Sequence, residues 1–199
     1  MKRAIVVVTD RTEGAVGWHE DLAHSLRTCI YRIETYRPSV PQVAAGGLEL
    51  QAWLWAAAHH DEFVLLPQRA LVKDWAPLKQ AFEEEGMGVS FADQPWPFGH
   101  FLGKYVSVHL RQLLAPTALA DSPTDPEGWC RAYARVAPYA QLGHFGSPDA
   151  SALRFEERHG ELVLRLECDW LTLFLPGEAQ HSEDGGQIVY RRAAIAADS

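Results

Sequence analysis

Polar and charged side chains follow an apolar run near the start of the chain, at the point where a strand would end. Residues 4–8 are apolar and mostly β-branched, and Thr9, Asp10 and Arg11 come directly after them. An aspartate in this position suits a ribose hydroxyl or a base edge. An arginine suits a diphosphate, because the planar guanidinium matches phosphate oxygens. The same residues would also suit a simple turn closed by a surface ion pair.

A second group of the same kind follows the apolar run at residues 62–66. Pro67 stops this run, Gln68 and Arg69 come next, and Lys73 follows shortly after. Ligands of open α/β sheets bind outside the carboxyl ends of the strands. The two groups together therefore predict one ligand site at one edge of a sheet.

A third group surrounds a loop rich in proline and aromatic residues, at positions 94–99. Asp93 precedes the loop and His100 follows it, and either could act as a general base. Trp96 and Phe98 could form a stacking platform for a sugar or a base. The alternatives are that Asp93 or His100 caps a helix end, and that the two aromatic rings pack in the core.

Other catalytic motifs are incomplete or absent in the sequence. His19 and His24 frame a segment similar to the zincin motif, but their spacing places them about 140° apart around a helix, where they cannot face one metal. The sequence contains no dinucleotide fingerprint, no complete P-loop and no nucleophile elbow. No metal ligands can be assigned from these patterns.

The elements that must position these groups alternate between strands and helices, which favours an α/β fold with a Rossmann-like, mostly parallel sheet flanked by helices. Asp74 as cap, Pro77 in the first turn and Gly86 beyond the end delimit one of the helices. Strands are predicted at about residues 4–8, 29–33, 62–66 and 88–92, and helices at about residues 18–27, 48–60, 75–85 and 100–114.

The remainder of the chain is predicted to be a C-terminal α+β extension of the same domain. A helix is expected over about residues 124–139, and residues 152–176 look extended. At this length we expect a single domain. It spans residues 1–199, with a core at about 3–115, the extension at about 124–176 and a mobile polar tail at 177–199.

Composition narrows the classes of function. A net charge of -8 over 199 residues argues against broad binding to nucleic acid. A local basic strip would leave a nucleic-acid-modifying transferase open. Two such strips are conceivable, one of Arg27, Arg32 and Arg37 and one of Lys104 and Arg111. The lack of a long apolar stretch predicts no membrane span, and three widely spaced cysteines predict a cytoplasmic protein.

The order of these features resembles the core of a glycosyltransferase of the GT-A type over about residues 3–115. Residues 4–11 resemble its nucleotide-side strand end, and Gly46 and Gly47 lead into its next helix. Residues 61–69 resemble the segment that runs from a buried strand into the Asp-x-Asp motif. The resemblance implies a nucleotide-diphosphate sugar as donor and an unknown acceptor. The donor would be bound by Thr9, Asp10, Arg11, Gln68, Arg69 and Lys73.

The Asp-x-Asp carboxylates themselves are missing, because Pro67, Gln68 and Arg69 occupy the matching positions. In the family these carboxylates hold a divalent cation, whereas a neutral and a cationic side chain would repel one. Three explanations stay open. Arg69, with Lys73 or Arg11, replaces the cation in a metal-independent transfer. A carboxylate elsewhere, such as Asp93, binds the metal. Or catalysis is lost, and the fold is a binding or assembly module that forms an oligomer or a partner complex.

Overall fold

The described part of the chain forms a mostly parallel β-sheet and an antiparallel β-sheet. The computed structural model describes residues 1–9, 15–37, 47–86, 103–114, 154–167, 170–181 and 188–192. The strands there are β1 (Arg3–Val8), β2 (Arg32–Tyr36), β3 (Glu62–Pro67), β4 (Ala70–Val72), β5 (Gly103–Val106), β6 (Arg154–Arg158), β7 (Glu161–Glu167), β8 (Leu171–His181) and β9 (Ile188–Arg192). The helices are α1 (Ala15–Ser25), α2 (Gly47–His59), α3 (Ala76–Glu83) and α4 (Ser107–Leu114).

Sheet A contains four strands in the order β2-β1-β3-β5. Strand β1 is parallel to both β2 and β3, and β5 is antiparallel to β3. Ala4 to Val8 of β1 are no more than 2% exposed, as expected for a strand covered on both faces. The prediction of a mixed α/β chain with a mostly parallel sheet is confirmed.

Helices α1 and α3 cover one face of sheet A. Arg3 and Val7 point to the same face of β1, because alternate residues of a strand share a side. Val7 lines a cavity together with Leu22 of α1. The guanidinium of Arg3 lies 5.8 Å from the ring centroid of Phe82 in α3. This face of the sheet is therefore buried by the first and third helices.

Helices α2 and α4 cover the opposite face. Phe63 of β3 pairs with Tyr105 of β5, and their ring centroids are 5.3 Å apart. Trp53 of α2 packs against the same tyrosine ring, at 5.5 Å. Helix α4 packs against α2 and buries Leu110 completely. Sheet A is thus the middle layer of three.

Sheet B is antiparallel and takes most of its strands from the C-terminal part of the chain. Its order is β4-β8-β7-β6, and β9 pairs with β8. The chain crosses from one sheet to the other at Gln68 and Arg69. The amide of Gln68 donates to Val8 O in sheet A, at 3.0 Å, and Arg69 O accepts from the amide of Phe174 in sheet B, at 2.9 Å. These two residues form the seam between the sheets.

Most of the expected elements of the core correspond to observed ones, but the region after residue 100 differs. A helix is expected over residues 100–114, whereas residues 103–106 form β5 and the helix α4 begins at Ser107. Pairing with β3 outweighs the local preference for a helix. Strand β2 also begins later than the expected 29–33, because the turn after α1 continues to Cys29, whose amide donates to Leu26 O.

The extended C-terminal region is confirmed as β6, β7 and β8, but its surroundings were predicted less well. Strand β4 was not predicted, since three residues are too few for a clear pattern. Residues 177–181 continue β8 and residues 188–192 form β9, within a segment expected to be a mobile tail. The expected strand at 88–92 and helix at 124–139 lie outside the described residues.

Candidate functional site

The carboxyl edge of sheet A contains the point where the strand order reverses. From β1 the chain continues to β2 on one side and then returns to β3 on the other side of β1. The connecting helices α1 and α2 lie on opposite faces, and the carboxyl ends of β1 and β3 lie side by side between them. Ligands of doubly wound sheets bind at such a switch point. Thr9 and Gln68 lie beside each other there, because Val8 pairs with Pro67.

Thr9 is nearly buried and ties β1 to β2. Its amide and its hydroxyl both donate to Tyr36 O, each at 3.1 Å, and the residue is 6% exposed. The hydroxyl oxygen keeps its capacity to accept a hydrogen bond. Gln68 has the same exposed fraction of 6% and continues β3 beyond Pro67. These two neutral residues lie side by side at the carboxyl ends of β1 and β3.

Arg69 carries the positive charge beside Thr9 and Gln68, and its guanidinium is already bonded to a carboxylate. Its Nη2 donates to Glu161 Oε2 at 2.9 Å, and its side chain is 14% exposed. The guanidinium carbon lies 5.8 Å from the ring centroid of Trp18, in the first turn of α1. Arg69 therefore holds sheet B against the end of sheet A that carries the candidate site.

Lys73 lies away from this group, at the far end of β4. Four residues of extended chain place it roughly 13 Å from Arg69 along the strand. Its amide donates to Trp170 O at 2.7 Å, and the residue is exposed. The structure thus brings Thr9, Gln68 and Arg69 together and separates Lys73 from them.

A cluster of charged residues, which we call the clasp, joins α1 to the hairpin of β6 and β7. Asp21 Oδ2 accepts from Arg158 Nη2 at 2.6 Å and Nε at 3.0 Å, and it lies 2.7 Å from His159 Nε2. Burial on its own would raise the pKa of Asp21, but hydrogen bonds from His159 and Arg158 and their charges bring that pKa below its ordinary value. Trp18 adds a bond from Nε1 to Glu161 Oε1, at 3.3 Å. The clasp consists of Trp18, Asp21, Arg158, His159 and Glu161.

The clasp was not predicted from the sequence, because its residues on α1 are more than 130 positions from their partners on the hairpin. One local signal was available. His159 and Gly160 both have positive φ, at 51° and 78°, as in the two-residue turns that close β-hairpins. A His-Gly pair between two extended segments could have located this turn, but not its partner helix.

Six of the predicted site residues lie outside the described residues: Asp10, Arg11, Asp93, Trp96, Phe98 and His100. The assignments of a base, an acceptor platform and two donor contacts therefore stay predictions.

The described residues at this edge do not suit a divalent cation. Thr9 and Gln68 are neutral and Arg69 is cationic, whereas magnesium and manganese prefer carboxylate oxygens. Within the described ranges, no three His, Cys, Asp or Glu side chains lie close enough to hold a metal ion.

The strip of Lys104 and Arg111 cannot serve as a surface for nucleic acid. Lys104 has a side chain only 1% exposed, with Nζ 3.8 Å from Glu62 Oε1 and donating to Glu84 O. Burial lowers the pKa of Lys104, and the nearby carboxylate of Glu62 opposes that effect. In the other strip, Arg32 forms an ion pair with Glu34.

Comparison with known proteins gives a distant likeness in structure and none in sequence families. No family model matches the chain, and no curated protein matches it. Among solved structures, it is similar to a glycosyltransferase involved in the glycosylation of the major capsid of PBCV-1. The identity is 15%, with 71% of this chain and 79% of that chain covered and a TM-score of 0.40. A likeness this distant assigns neither function nor site.

None of the helices in the described ranges is long and apolar enough to cross a bilayer.

Proposed function

We propose that this chain binds a nucleoside-diphosphate sugar between the ends of β1 and β3 and transfers the sugar to an acceptor. The observation that carries the proposal is the meeting of Thr9, Gln68 and Arg69 at the switch point of sheet A. Polar strand ends at a switch point are where doubly wound sheets hold nucleotides. The three widely spaced cysteines support a cytoplasmic setting.

Arg69 supplies the positive charge for the diphosphate in this proposal. As the donor's bond from the anomeric carbon to phosphate oxygen breaks, negative charge grows on the leaving diphosphate, and a fixed guanidinium stabilises it. Asp10 and Arg11 follow Thr9 directly in sequence and serve the ribose and the phosphates. Because Thr9, Gln68 and Arg69, the described residues of this edge, do not suit a divalent cation, we propose a transfer independent of metal.

The acceptor side of the proposal uses residues of the aromatic loop. Asp93 or His100 takes the proton of an acceptor hydroxyl, whose oxygen then bonds to the anomeric carbon of the sugar. Trp96 and Phe98 stack on the acceptor or the sugar.

The experiment that tests the proposal is a thermal melt with a panel of UDP- and GDP-sugars, with and without manganese. At least one donor should raise the melting temperature, because a ligand that binds only the folded state stabilises it. Arg69→Ala and Asp10→Ala should each abolish the shift. Arg32→Ala is the matched control, since Arg32 is exposed at the opposite edge of sheet A and its loss should leave the shift intact. No shift with any donor would contradict the proposal.

A second function has one specific observation in its favour. Arg69 is bonded to Glu161 and packs near Trp18, which gives it a structural use without any ligand. A non-catalytic binding or assembly module would retain such a residue after losing its chemistry. This alternative predicts a stable oligomer or partner complex in sedimentation experiments, and no cleavage of nucleotide sugars over long incubation.

A further inference from the structure

Glu161 already forms an ion pair with Arg69, the arginine that the proposed donor site needs. We propose that Glu161 determines the affinity of this site, because a diphosphate must displace its carboxylate from Arg69 in order to bind. The proposal rests on the proposed function and adds the residue that opposes binding.

Both carboxylate oxygens of Glu161 are bonded on the side of the candidate site. Oε2 accepts from Arg69 Nη2 at 2.9 Å, and Oε1 accepts from Trp18 Nε1 at 3.3 Å. Trp18 lies in the first turn of α1, the helix that follows β1, so this carboxylate is held next to the switch point. The side chains of Arg69 and Glu161 are 14% and 27% exposed, so water screens the pair only in part.

A phosphate that approaches the Arg69 guanidinium also approaches the carboxylate of Glu161. Two like charges a few ångströms apart repel strongly where solvent is partly excluded. The incoming phosphates therefore compete with Glu161 for the same donor. Glu161 is the more exposed partner of the ion pair, so it is the partner that can turn towards solvent.

The hairpin does not depend on Glu161 for its position. Arg158 and His159 bond to Asp21 independently, and Phe174 packs on Trp18 with ring centroids 5.0 Å apart. Removing the charge of Glu161 should therefore leave the sheets in place and change only the electrostatics at Arg69.

The test compares the affinity for UDP of four variants with that of the full chain, measured by calorimetry. Glu161→Gln keeps the shape and the acceptor for Trp18 but removes the charge. Glu156→Gln is the matched control, because Glu156 is 25% exposed on the same hairpin but lies near Arg158 and Arg165. Arg69→Met keeps a long, unbranched side chain and removes the guanidinium. The fourth variant combines Glu161→Gln with Arg69→Met, and circular dichroism checks the fold of each.

We expect Glu161→Gln to bind UDP at least about tenfold more tightly. A change of this size is expected when one negative charge beside a bound anion is removed. Glu156→Gln should change affinity less than about twofold, because screened charges at a distance matter little. Arg69→Met should bind more weakly, and Glu161→Gln should give a smaller gain in that background, because the competition for the guanidinium is then absent. If the unmodified chain binds UDP and Arg69→Met weakens binding, but Glu161→Gln leaves it unchanged or weaker, this inference alone is wrong. If no variant binds UDP or any donor sugar, the proposed function fails, and the inference with it.

Discussion

The interactions that stabilise sheet A differ from those on the face of sheet B that contacts α1. Strands β1 and β3 are buried along their whole apolar length. The face of sheet B that contacts α1 has charged residues around a small apolar patch. In this patch Val163 and Phe174 pack on Trp18. Around this patch Arg158 and Glu161 bond back to α1 and to Arg69. Burial of apolar side chains stabilises sheet A, whereas hydrogen bonds and ion pairs position sheet B against it.

The difference bears on the candidate site, which lies where the two kinds of contact meet. Thr9 and Gln68 are immobilised by the ladder of sheet A, whereas Arg69 is oriented by sheet B. Disturbing the core of sheet A should unfold the molecule. Disturbing the contact between the sheets should alter the site at a smaller cost in stability.

The largest expected effect is on sheet A. Phe63→Ala should lower the free energy of unfolding by about 3–5 kcal/mol, because Phe63 is 0% exposed and its loss leaves a cavity beside Tyr105. The same change at half-buried Phe155 in β6 should cost roughly 1–2 kcal/mol, in proportion to the smaller buried area. Urea unfolding followed by circular dichroism measures both. Equal losses would show that the two sheets are packed alike.

The next effect is at the contact between α1 and the hairpin. A Cβ atom at Gly17 would lie 2.2 Å from Nδ1 and 2.6 Å from Cε1 of the His159 ring. Asp21 and the edge of Trp18 hold that ring, so it cannot move aside freely. Crowding of this kind costs about 1–3 kcal/mol, more than the gain of about 1 kcal/mol that alanine brings to a helix. Gly17→Ala should therefore destabilise the chain, which thermal and urea melts would show.

A double-mutant cycle separates crowding from helix propensity in this prediction. His159→Gly removes the ring, and glycine suits the positive φ of 51° at this position. In the His159→Gly background, Gly17→Ala should become stabilising. If Gly17→Ala destabilises both backgrounds equally, the close contact with His159 is not its cause.

Sheet A could be predicted largely because its signals are local. The apolar run of β1 and the capped helix after Asp74 show their structure within a few residues of sequence. The N-cap residue is Trp75 rather than the predicted Asp74, but Asp74 Oδ1 accepts from the amide of Ala76 at 3.0 Å, and Pro77 lies in the first turn. Strand β5 was missed because its strand character comes from pairing with β3, forty residues earlier in the chain.

The candidate site could be predicted only in part, for the same reason. Adjacent strand ends placed Thr9, Gln68 and Arg69 together, and the structure has them so. The partner of Arg69 is Glu161, and no short motif connects residues 92 positions apart. Lys104 was predicted wrongly as part of a basic surface strip, because lysine is usually exposed. In the structure, Glu62 and Glu84 O receive its ammonium inside the molecule.

The smallest expected effect concerns the ion pairs of the clasp. The pKa of Asp21 is lower in the folded chain than its ordinary value of 3.8, so the unfolded chain binds the proton more readily. The stabilising contribution of Asp21 is therefore complete above that ordinary value, and it is lost as the pH falls below it through the folded-state pKa. Asp21→Asn should cost less than about 1 kcal/mol at neutral pH, as for other partly exposed ion pairs.

The pH dependence distinguishes this electrostatic contribution from simple packing. The difference in stability between the unmodified chain and Asp21→Asn should be constant from pH 7 to about pH 5 and should shrink towards pH 3. Glu20→Gln, an exposed change next to Asp21 on the same helix, should keep the full acid dependence of the unmodified chain. Urea midpoints at several pH values give both differences. If the Asp21→Asn difference stays constant down to pH 3, the clasp fixes the hairpin by shape, and the charges at Asp21 contribute nothing to the contact between the sheets.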